Sequence, residues 1–476
     1  MPPHAAEVRR TSKTDGTLDH GHALSPECLP TLVRAVPPRF AARSHFPPDR
    51  LCLFRTSAPG RAGLDGPASL RPGVTQARPG YVAVQADMEF SGDRGFGFEP
   101  GFRVRVVERP VEVGAKGDSI AADGAFFFSV AVPEGNHRVR VTLGDTDGTS
   151  ETTVKAELRR LMLERVSTEH GAFAEREFIV NVRVPQIAGG GAVRLKAPRE
   201  TTQEAWAWDD RLTLEVNGSA PKVCAIEIEP VGLPTVFLLG DSTVCDQSRE
   251  PFNSWGQMLT RFFKPGVAIA NHGESGETYR DSIGRGRLEK IISVMRPGDH
   301  LILQFGHNDQ KQLAAGTGGP FTTYQAEMRR HLAAARAAGG IPILVTPMNR
   351  RSFEGAAIVN ALGDYPDAFR QVAAEENVPL IDLHAMSKVF YEALGPEGSE
   401  AAFAAPGGVI DNTHHSAYGS YLLARCVALG IRGAGLPLAR HLVDDLPPFD
   451  PAKPEPFDTF AVPPSPLVTN LTPLGN

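Results

Sequence analysis

The sequence predicts an α/β fold: a three-layer α/β/α domain on a parallel sheet, preceded by an antiparallel β-sandwich. The chain has 476 residues, which is more than one ordinary hydrophobic core organises. Short strand-like runs separated by Gly, Asp and Pro turns fill residues 76–232. Apolar strand-like runs then alternate with helical segments over residues 233–440, the pattern of a parallel sheet covered by helices on both faces.

The first segment, residues 1–75, is rich in Pro, Arg, Ala and Gly without hydrophobic periodicity, which predicts a linker or disorder. No apolar stretch follows its basic residues, so it lacks the pattern of a signal peptide. The chain contains no run of about 18 apolar residues, and we therefore expect no membrane insertion. A net charge of −6 argues against a nucleic-acid partner, because such partners select a basic surface.

The predicted sandwich contains runs such as "FFFSVAVPEG", "EFIVNVRVP" and "RLTLEVNG", rich in the Val, Phe and Thr that strands favour. The stretch "GDTDG" is expected to form a hairpin turn, since it lacks the remaining ligands of a calcium loop. This accessory domain either binds carbohydrate or supports the domain that follows. The lack of aromatic residues at obvious loop tips favours support.

In the α/β domain, the predicted strands are "TVFLL", "VAIAN", "HLILQFG", "IPILVTP" and "VPLIDL". Helices are predicted between and after them, near residues 254–263, 284–295, 324–338, 366–376, 385–393 and 416–429. The tail, residues 441–476, is too Pro-rich to fold alone and is expected to run extended over the surface.

A candidate nucleophile, Ser242, directly follows the first strand, in "TVFLLGDSTVCDQ". Ligands of open α/β sheets bind at the carboxyl ends of the strands, and a serine there needs a base to become reactive. The stretch "IDNTHHSAYG" offers Asp411, His414 and His415, where Asp-x-x-His spacing lets the carboxylate orient an imidazole. The alternative is that Asp411 caps the next helix and both histidines lie on the surface.

Two further strand ends carry candidate oxyanion donors. "ANHGESGETYRDS" contains Gly273 and Gly276, and "LQFGHND" contains Asn308. Either stretch could instead form an ordinary turn between a strand and a helix. The five cysteines are widely spaced, which predicts free thiols rather than a metal site, and Cys245 is expected to pack in the core.

The four blocks that contain Ser242, Gly276, Asn308 and His414, in their order along the chain, resemble the GDSL, or SGNH, hydrolase family from residue 235 to 435. The resemblance implies that Ser242 is the nucleophile and that Asp411 and His414 complete the triad. It also implies an oxyanion hole made by Ser242, Gly276 and Asn308.

The match departs from the family pattern at one position. Ser275 stands where the family has the first glycine of a pair, so Gly273 is the fallback for Gly276. The family's Asp-x-x-His register selects His414 over His415.

The stretches "GDSTVCDQ", "LQFGHNDQK" and "DNTHHSAYG" look like the rhamnogalacturonan acetylesterase branch, carbohydrate esterase family 12. "VPEGNHRVRVTLGD" and "FIVNVRVP" resemble the galactose-binding-like β-sandwich of its two-domain members. The resemblance implies a serine esterase that removes O-acetyl groups from pectic rhamnogalacturonan through an acetyl-enzyme. Its implied partner is an acetylated polysaccharide or oligosaccharide, and no metal or cofactor is expected.

The same resemblance implies a secreted or periplasmic protein. Because residues 1–75 do not resemble the family, we expect a misannotated or altered N-terminus.

Trp255 and Tyr279 are candidate sugar-stacking residues, and Arg350 and Arg351 are candidate partners of a galacturonate carboxylate. The alternatives are that Trp255 packs in the core and that an arginine bridges the domain surface. Two rival functions stay open: an esterase acting on xylan, another acetylated glycan or lipid esters, and a non-catalytic glycan-binding protein on an esterase fold.

Overall fold

The computed structural model describes residues 51–53, 81–82, 84–107 and 119–467. The segment predicted to be a linker or disordered, residues 1–75, lies outside the described residues apart from a short strand at Leu51–Leu53. That strand pairs with the sandwich strand Lys222–Pro230, so at least this part of the segment is ordered.

The first folded region contains two facing sheets. Its strands are β1 (Leu51–Leu53), β2 (Tyr81–Val82), β3 (Phe96–Phe98), β4 (Arg105–Val107), β5 (Ser119–Ala121), β6 (Phe126–Ala131), β7 (Gly135–Gly144), β8 (Ser150–Ala156), β9 (Arg160–Thr168), β10 (Phe173–Val182), β11 (Arg211–Ala220) and β12 (Lys222–Pro230). One sheet has the order β10-β7-β12-β1-β2, with β5 and β4 added at β12, and the other has the order β3-β6-β11-β8-β9. Among the described strands of these two sheets, the pairing is antiparallel except between β1 and β2.

The sandwich core lies between these sheets and follows from alternation along the strands. On β7, Val139, Val141 and Leu143 point inward, while Arg138 and Arg140 alternate with them on the outer face. The inward residues pack with Phe126, Phe128 and other apolar residues of the opposite sheet. The predicted β-sandwich is therefore confirmed.

The second region is built on a parallel sheet of order β14-β13-β15-β16-β19. The strands of this sheet are β13 (Thr235–Gly240), β14 (Ala268–Asn271), β15 (His300–Gln304), β16 (Ile341–Val345) and β19 (Leu380–Ile381). A separate hairpin is formed by β17 (Phe353–Glu354) and β18 (Ala357–Ile358). Its helices are α1 (Trp255–Leu259), α2 (Tyr279–Gly284), α3 (Arg287–Val294), α4 (Gln310–Ala314), α5 (Gln325–Ala337), α6 (Tyr365–Glu375), α7 (Leu383–Gly398) and α8 (Ala417–Gly433).

The helices cover both faces of this sheet. Val236 and Leu238 of β13 belong to the apolar cluster that contains α8, whereas Phe237 and Leu239 belong to the cluster that contains α5 and α6. Burial on both faces explains why β13 is apolar at consecutive positions. The predicted three-layer α/β/α fold is confirmed.

Hydrophobic periodicity does not predict two of the helices, α2 and α4, which have only six and five residues. Helices this short depend on caps and tertiary contacts rather than on periodicity. The signal for α2 was its capping box, in which Thr278 and Asp281 bond each other's backbone N–H groups.

The described part of the Pro-rich tail runs without regular structure apart from short helical turns. It lies against the sandwich, where Lys155 Nζ donates to Pro463 O at 2.8 Å and Asn217 Nδ2 donates to Pro464 O at 2.8 Å. No helix among residues 84–107 and 119–467 is long and apolar enough to cross a bilayer.

Candidate active site

The turn after β13 places a serine at the carboxyl edge of the sheet. Gly240 is required there, because a Cβ would lie 2.4 Å from Gln304 O and 2.5 Å from a Val244 methyl carbon. Asp241 closes the turn by accepting hydrogen bonds from Thr243 N at 3.0 Å and Thr243 Oγ1 at 2.8 Å. Ser242 is thereby held in a defined orientation between these two residues.

A histidine and an aspartate from the loop before α8 meet this serine. His414 Nε2 lies 2.8 Å from Ser242 Oγ, and His414 Nδ1 lies 2.9 Å from Asp411 Oδ2. The carboxylate accepts from Nδ1–H, which leaves Nε2 to accept the Ser242 proton. The structure brings together the three residues that the sequence pointed to, although 172 residues separate Ser242 from His414.

Asp411 keeps its charge in this setting. Burial raises the pKa of its carboxyl group, but hydrogen bonds from the His414 ring and from the backbone N–H groups of Thr413 and His414 outweigh burial and hold that pKa well below its ordinary value. The Oδ1 atom accepts from Thr413 N at 2.7 Å and His414 N at 2.9 Å. Asp411 therefore closes the turn before α8 and orients His414 at the same time, whereas the cap of α8 is Ser416, whose side chain accepts from Gly419 N. Both histidines of this turn are buried, so the alternative of a helix cap with surface histidines is wrong.

The candidate oxyanion donors lie on the loops after β14 and β15. Gly276 has a φ of +74°, which favours glycine. Asn308 Nδ2 donates to Glu277 O at 3.2 Å, so the two loops are bonded to each other. The fallback glycine, Gly273, uses its N–H on Asn271 Oδ1 at 3.1 Å, which favours Gly276 as the donor.

A buried pair next to the nucleophile, Asp241 and His307, is not predicted from the sequence. His307 Nδ1 lies 3.3 Å from Asp241 Oδ2, and His307 Nε2 lies 2.9 Å from Met348 O. Burial raises the pKa of Asp241, but His307 and the hydrogen bonds from Thr243 together hold it below its ordinary value. The signal was present in "GDS" and "GHND", since both stretches follow neighbouring strands of one sheet.

The stacking predictions for Trp255 and Tyr279 are wrong. Trp255 is 1% exposed, and its ring N–H donates to Gln304 Oε1. Tyr279 is 0% exposed and packs against Phe305 with ring centroids 4.5 Å apart. Neither ring offers a face to a sugar, because apolar packing has enclosed both.

The two arginines have different surroundings. Arg350 Nη2 donates to His307 O at 3.1 Å, and the residue lines an open pocket of about 500 Å³ beside Asp411. Arg351 turns away and bonds Ser399 Oγ and Glu400 Oε1, each at 3.1 Å. Of the two predicted carboxylate partners, only Arg350 lines this pocket.

The pocket beside Asp411 is also lined by a lysine that is not among the predicted site residues. Its lining residues are Lys311, Arg350, Pro406, Val409, Ile410, Asp411 and Asn412. Burial lowers the pKa of Lys311, and the nearby Arg350 lowers it further. Lys311 follows "GHNDQ" directly, which was the available signal.

The Cys245 thiol lies near the site but is not a competing nucleophile. Burial and the nearby Glu274 raise the pKa of the Cys245 thiol well above its ordinary value, so this cysteine is held as a neutral thiol. No cluster of His, Cys, Asp or Glu with the arrangement of a metal site occurs in the part of the chain that the structure describes.

The neighbouring His415 predicts a pH effect on stability. It is buried, and its Nε2 lies 2.6 Å from Tyr391 Oη. Burial lowers its pKa to about 3, so below the ordinary pKa of about 6.5 the unfolded chain binds a proton that the folded chain does not. Lowering the pH from about 6 to about 4 should therefore destabilise the wild type relative to His415→Gln by about 1.4 kcal/mol per pH unit. Urea unfolding of both proteins measures this difference, and a difference that is constant with pH would contradict the neutral buried histidine.

Comparisons with known proteins identify the family of this chain. The model of the GDSL-like Lipase/Acylhydrolase family matches residues 238–422. Rhamnogalacturonan acetylesterase RhgT of Bacillus subtilis is 43% identical over 220 residues, which are 44% of this chain and 94% of that protein. Probable rhamnogalacturonan acetylesterase YesY of the same organism is 35% identical over 214 residues, covering 44% of this chain and 98% of that protein.

A longer match includes the sandwich. The crystal structure of the protein YxiM of Bacillus subtilis covers 82% of this chain and 99% of its own, at 24% identity and a TM-score of 0.42. The sequence relatives, which this chain spans almost completely, establish the family. The chain belongs to the GDSL-like lipase/acylhydrolase family and is a carboxylic ester hydrolase.

Proposed function

We propose that this enzyme removes O-acetyl groups from pectic polysaccharide, with rhamnogalacturonan as its substrate. The observation that carries the proposal is the hydrogen-bonded series Ser242, His414 and Asp411 at the carboxyl edge of the sheet. The relatives named rhamnogalacturonan acetylesterase support the substrate class. A polymeric substrate of this kind also supports action outside the cytoplasm.

In the proposed mechanism, Ser242 Oγ attacks the acetyl carbonyl carbon while His414 Nε2 takes the hydroxyl proton. The backbone N–H groups of Ser242 and Gly276 and the Asn308 side-chain amide stabilise the negative charge on the carbonyl oxygen. His414 then protonates the departing sugar oxygen, which leaves an acetyl ester on Ser242. A water molecule, deprotonated by His414, attacks this ester and releases acetate.

Asp411 contributes orientation and charge throughout this cycle. Its ionised carboxylate holds the His414 proton on Nδ1 and stabilises the imidazolium that forms in each step. One N–H of the Asn308 amide donates to Glu277 O, which fixes the plane in which the second N–H lies.

The pocket beside Asp411 supports an acidic glycan over a neutral one. Lys311 and Arg350 line it, and both are groups that donate charge-assisted hydrogen bonds to a carboxylate such as that of a galacturonate next to the acetylated sugar. Xylan has a neutral main chain and would gain nothing from these two cations. An acetylxylan esterase activity remains the second candidate, because solved acetylxylan esterases share the fold at 20–22% identity.

The experiment that tests the proposal compares acetate release from acetylated rhamnogalacturonan, acetylated xylan and a small aryl acetate. We expect the highest kcat/KM on the pectic polymer. A preference for xylan would retain the esterase mechanism and overturn the substrate. No release from any of the three would favour a glycan-binding protein.

Lys311→Gln predicts a specific loss on the acidic substrate. We expect KM for acetylated rhamnogalacturonan to rise about tenfold, which corresponds to about 1.4 kcal/mol, the scale of one charge-assisted contact. Kinetics on the aryl acetate should stay within about twofold, since this substrate has no carboxylate to pair. Lys453→Gln in the exposed tail is the charge-matched control. An equal loss on both substrates would contradict a carboxylate subsite.

A further inference from the structure

The connection between β10 and β11 leaves the sandwich and lies on the catalytic domain. Arg194 N donates to Arg285 O at 2.9 Å, and Lys290 Nζ of α3 donates to Gln186 O at 2.6 Å. Residues 196–204 of this connection, called the clamp segment below, reach the loop that carries Gly276. That loop, residues 274–277, is called the oxyanion loop.

Two cations of the clamp segment hold the first half of the oxyanion loop. Lys196 Nζ donates to Ser275 O, and Arg199 Nη2 donates to Ser275 Oγ at 3.0 Å. Arg199 Nε also lies 3.2 Å from Glu274 Oε1, and Arg199 Nη2 lies 2.6 Å from Glu204 Oε1 within the clamp segment. Arg199 thus connects the clamp segment to the residue directly before Gly276.

A third cation, Arg287 of α3, holds the other half. Its Nε donates to Glu277 Oε2 at 2.8 Å, and its Nη2 donates to Glu200 Oε2 of the clamp segment at 2.6 Å. Glu277 is also the residue whose carbonyl oxygen accepts from Asn308 Nδ2. Gly276 therefore lies between two residues that are each bound to a buried arginine.

The sandwich also contacts the loop of the nucleophile. Arg160 of β9 pairs with Asp246 at 2.8 Å, and Arg159 Nη1 donates to Gln247 O at 3.1 Å. Gln247 Nε2 in turn donates to Ser242 O at 2.6 Å. Contacts from the sandwich side thus reach both the nucleophile and the oxyanion loop.

The ion pairs of Arg199 and Arg287 are buried, so they fix the positions of their partners more than they stabilise the fold. The side chains of Arg287, Glu200 and Glu277 are each 0% exposed, and Arg199 is 5% exposed. Removing charges from water costs about as much as their attraction returns, so buried ion pairs add little net stability. They do impose strict distances and directions, because a displaced partner leaves an unpaired charge.

We infer that Lys196, Arg199 and Arg287 are positioning residues that fix the oxyanion loop, so that full turnover at Ser242 requires the clamp segment in contact with this loop. This inference rests on the proposed function, since it assigns a purpose to the Gly276 N–H. The clamp segment then serves catalysis by holding donors in place. A shift of about 1 Å in such a donor is enough to slow a reaction by up to about 100-fold.

The first test uses Ser275→Ala and Arg199→Lys in the full chain, with a small aryl acetate as substrate. Ser275→Ala removes one hydroxyl group and no charge. Arg199→Lys keeps the positive charge but loses the planar guanidinium group that bonds several partners at once. We expect kcat to fall about tenfold in each, with KM within about twofold, because the donors act on the transition state. Arg199→Met should lose more than Arg199→Lys.

A matched control separates positioning from stability. Lys155 forms a buried ion pair with Glu215 at 3.2 Å inside the sandwich, away from the oxyanion loop. Lys155→Met is expected to lower Tm while kcat stays near the wild-type value. An unchanged kcat in Ser275→Ala and Arg199→Lys would overturn the inference and leave the proposed function intact. A kcat loss in Lys155→Met equal to that in Arg199→Lys would also overturn it, whereas an inactive wild type would refute the proposed function itself.

Discussion

Ser242→Ala is expected to lower kcat/KM for acetate release by about 10⁵- to 10⁶-fold, the scale found when a serine nucleophile is removed from a triad. The reason is that Ser242 Oγ is the proposed site of the acetyl ester and lies 2.8 Å from the base, His414 Nε2. Residual turnover would then come only from water attacking an acetyl group held near the oxyanion donors.

The measurement is acetate release from acetylated rhamnogalacturonan and an aryl acetate, with thermal unfolding of both proteins. The stability change should stay within about 1 kcal/mol, since one hydroxyl group is removed. Ser420→Ala is the matched control, because Ser420 is also a fully buried serine but lies on α8 outside the site. Activity above about 1% in Ser242→Ala would contradict the nucleophile assignment.

Asp411→Asn is expected to lower kcat/KM by about 10⁴-fold, as expected when the orienting carboxylate of a triad becomes an amide. The amide has no charge to stabilise the imidazolium. Its N–H₂ group can also donate to His414 Nδ1, which would select the wrong tautomer and remove the acceptor that Ser242 needs.

This substitution separates two contacts of Asp411, the turn before α8 and the bond to His414. The Asn Oδ1 atom can still accept from Thr413 N and His414 N, so the turn is retained. If Asp411 only closed this turn, kcat/KM would stay within about tenfold of the wild type. Circular dichroism and Tm are measured alongside to show that the loop before α8 is intact.

Much of the fold followed from local pattern. The residues of β13 are apolar at consecutive positions, which requires burial on both faces of the sheet. Together with the alternation of strands and helices along the chain, this burial specifies a parallel sheet. The position of Ser242, Asp411 and His414 at strand and loop ends followed from the same pattern, because carboxyl ends of parallel strands share one edge. The capping box of α2 is also a local sequence signal, but a helix of six residues is too short for its hydrophobic periodicity to be recognised.

The substrate contacts were predicted less well, because residue type does not specify exposure. Trp255 and Tyr279 follow strand ends just as binding residues do, yet both rings pack into the interior. Arg350 and Arg351 are neighbours in sequence, but their guanidinium groups bind different partners and only Arg350 lines the pocket. Side-chain direction here depends on contacts with residues about 40 to 60 positions away, such as Thr413 and Ser399.

The sequence by itself determined the layer order, the identity of the nucleophile candidate and its Asp-x-x-His partner, because hydrophobic periodicity and short motifs act over a few residues. The tertiary structure decided which aromatic rings are enclosed, which arginine faces the pocket and how the sandwich reaches Ser275. Those outcomes depend on pairing charges such as Arg199 and Glu274, 75 positions apart, in a shared buried space. Long-range pairing of this kind is specified by the summed packing of two domains, and no local pattern contains it.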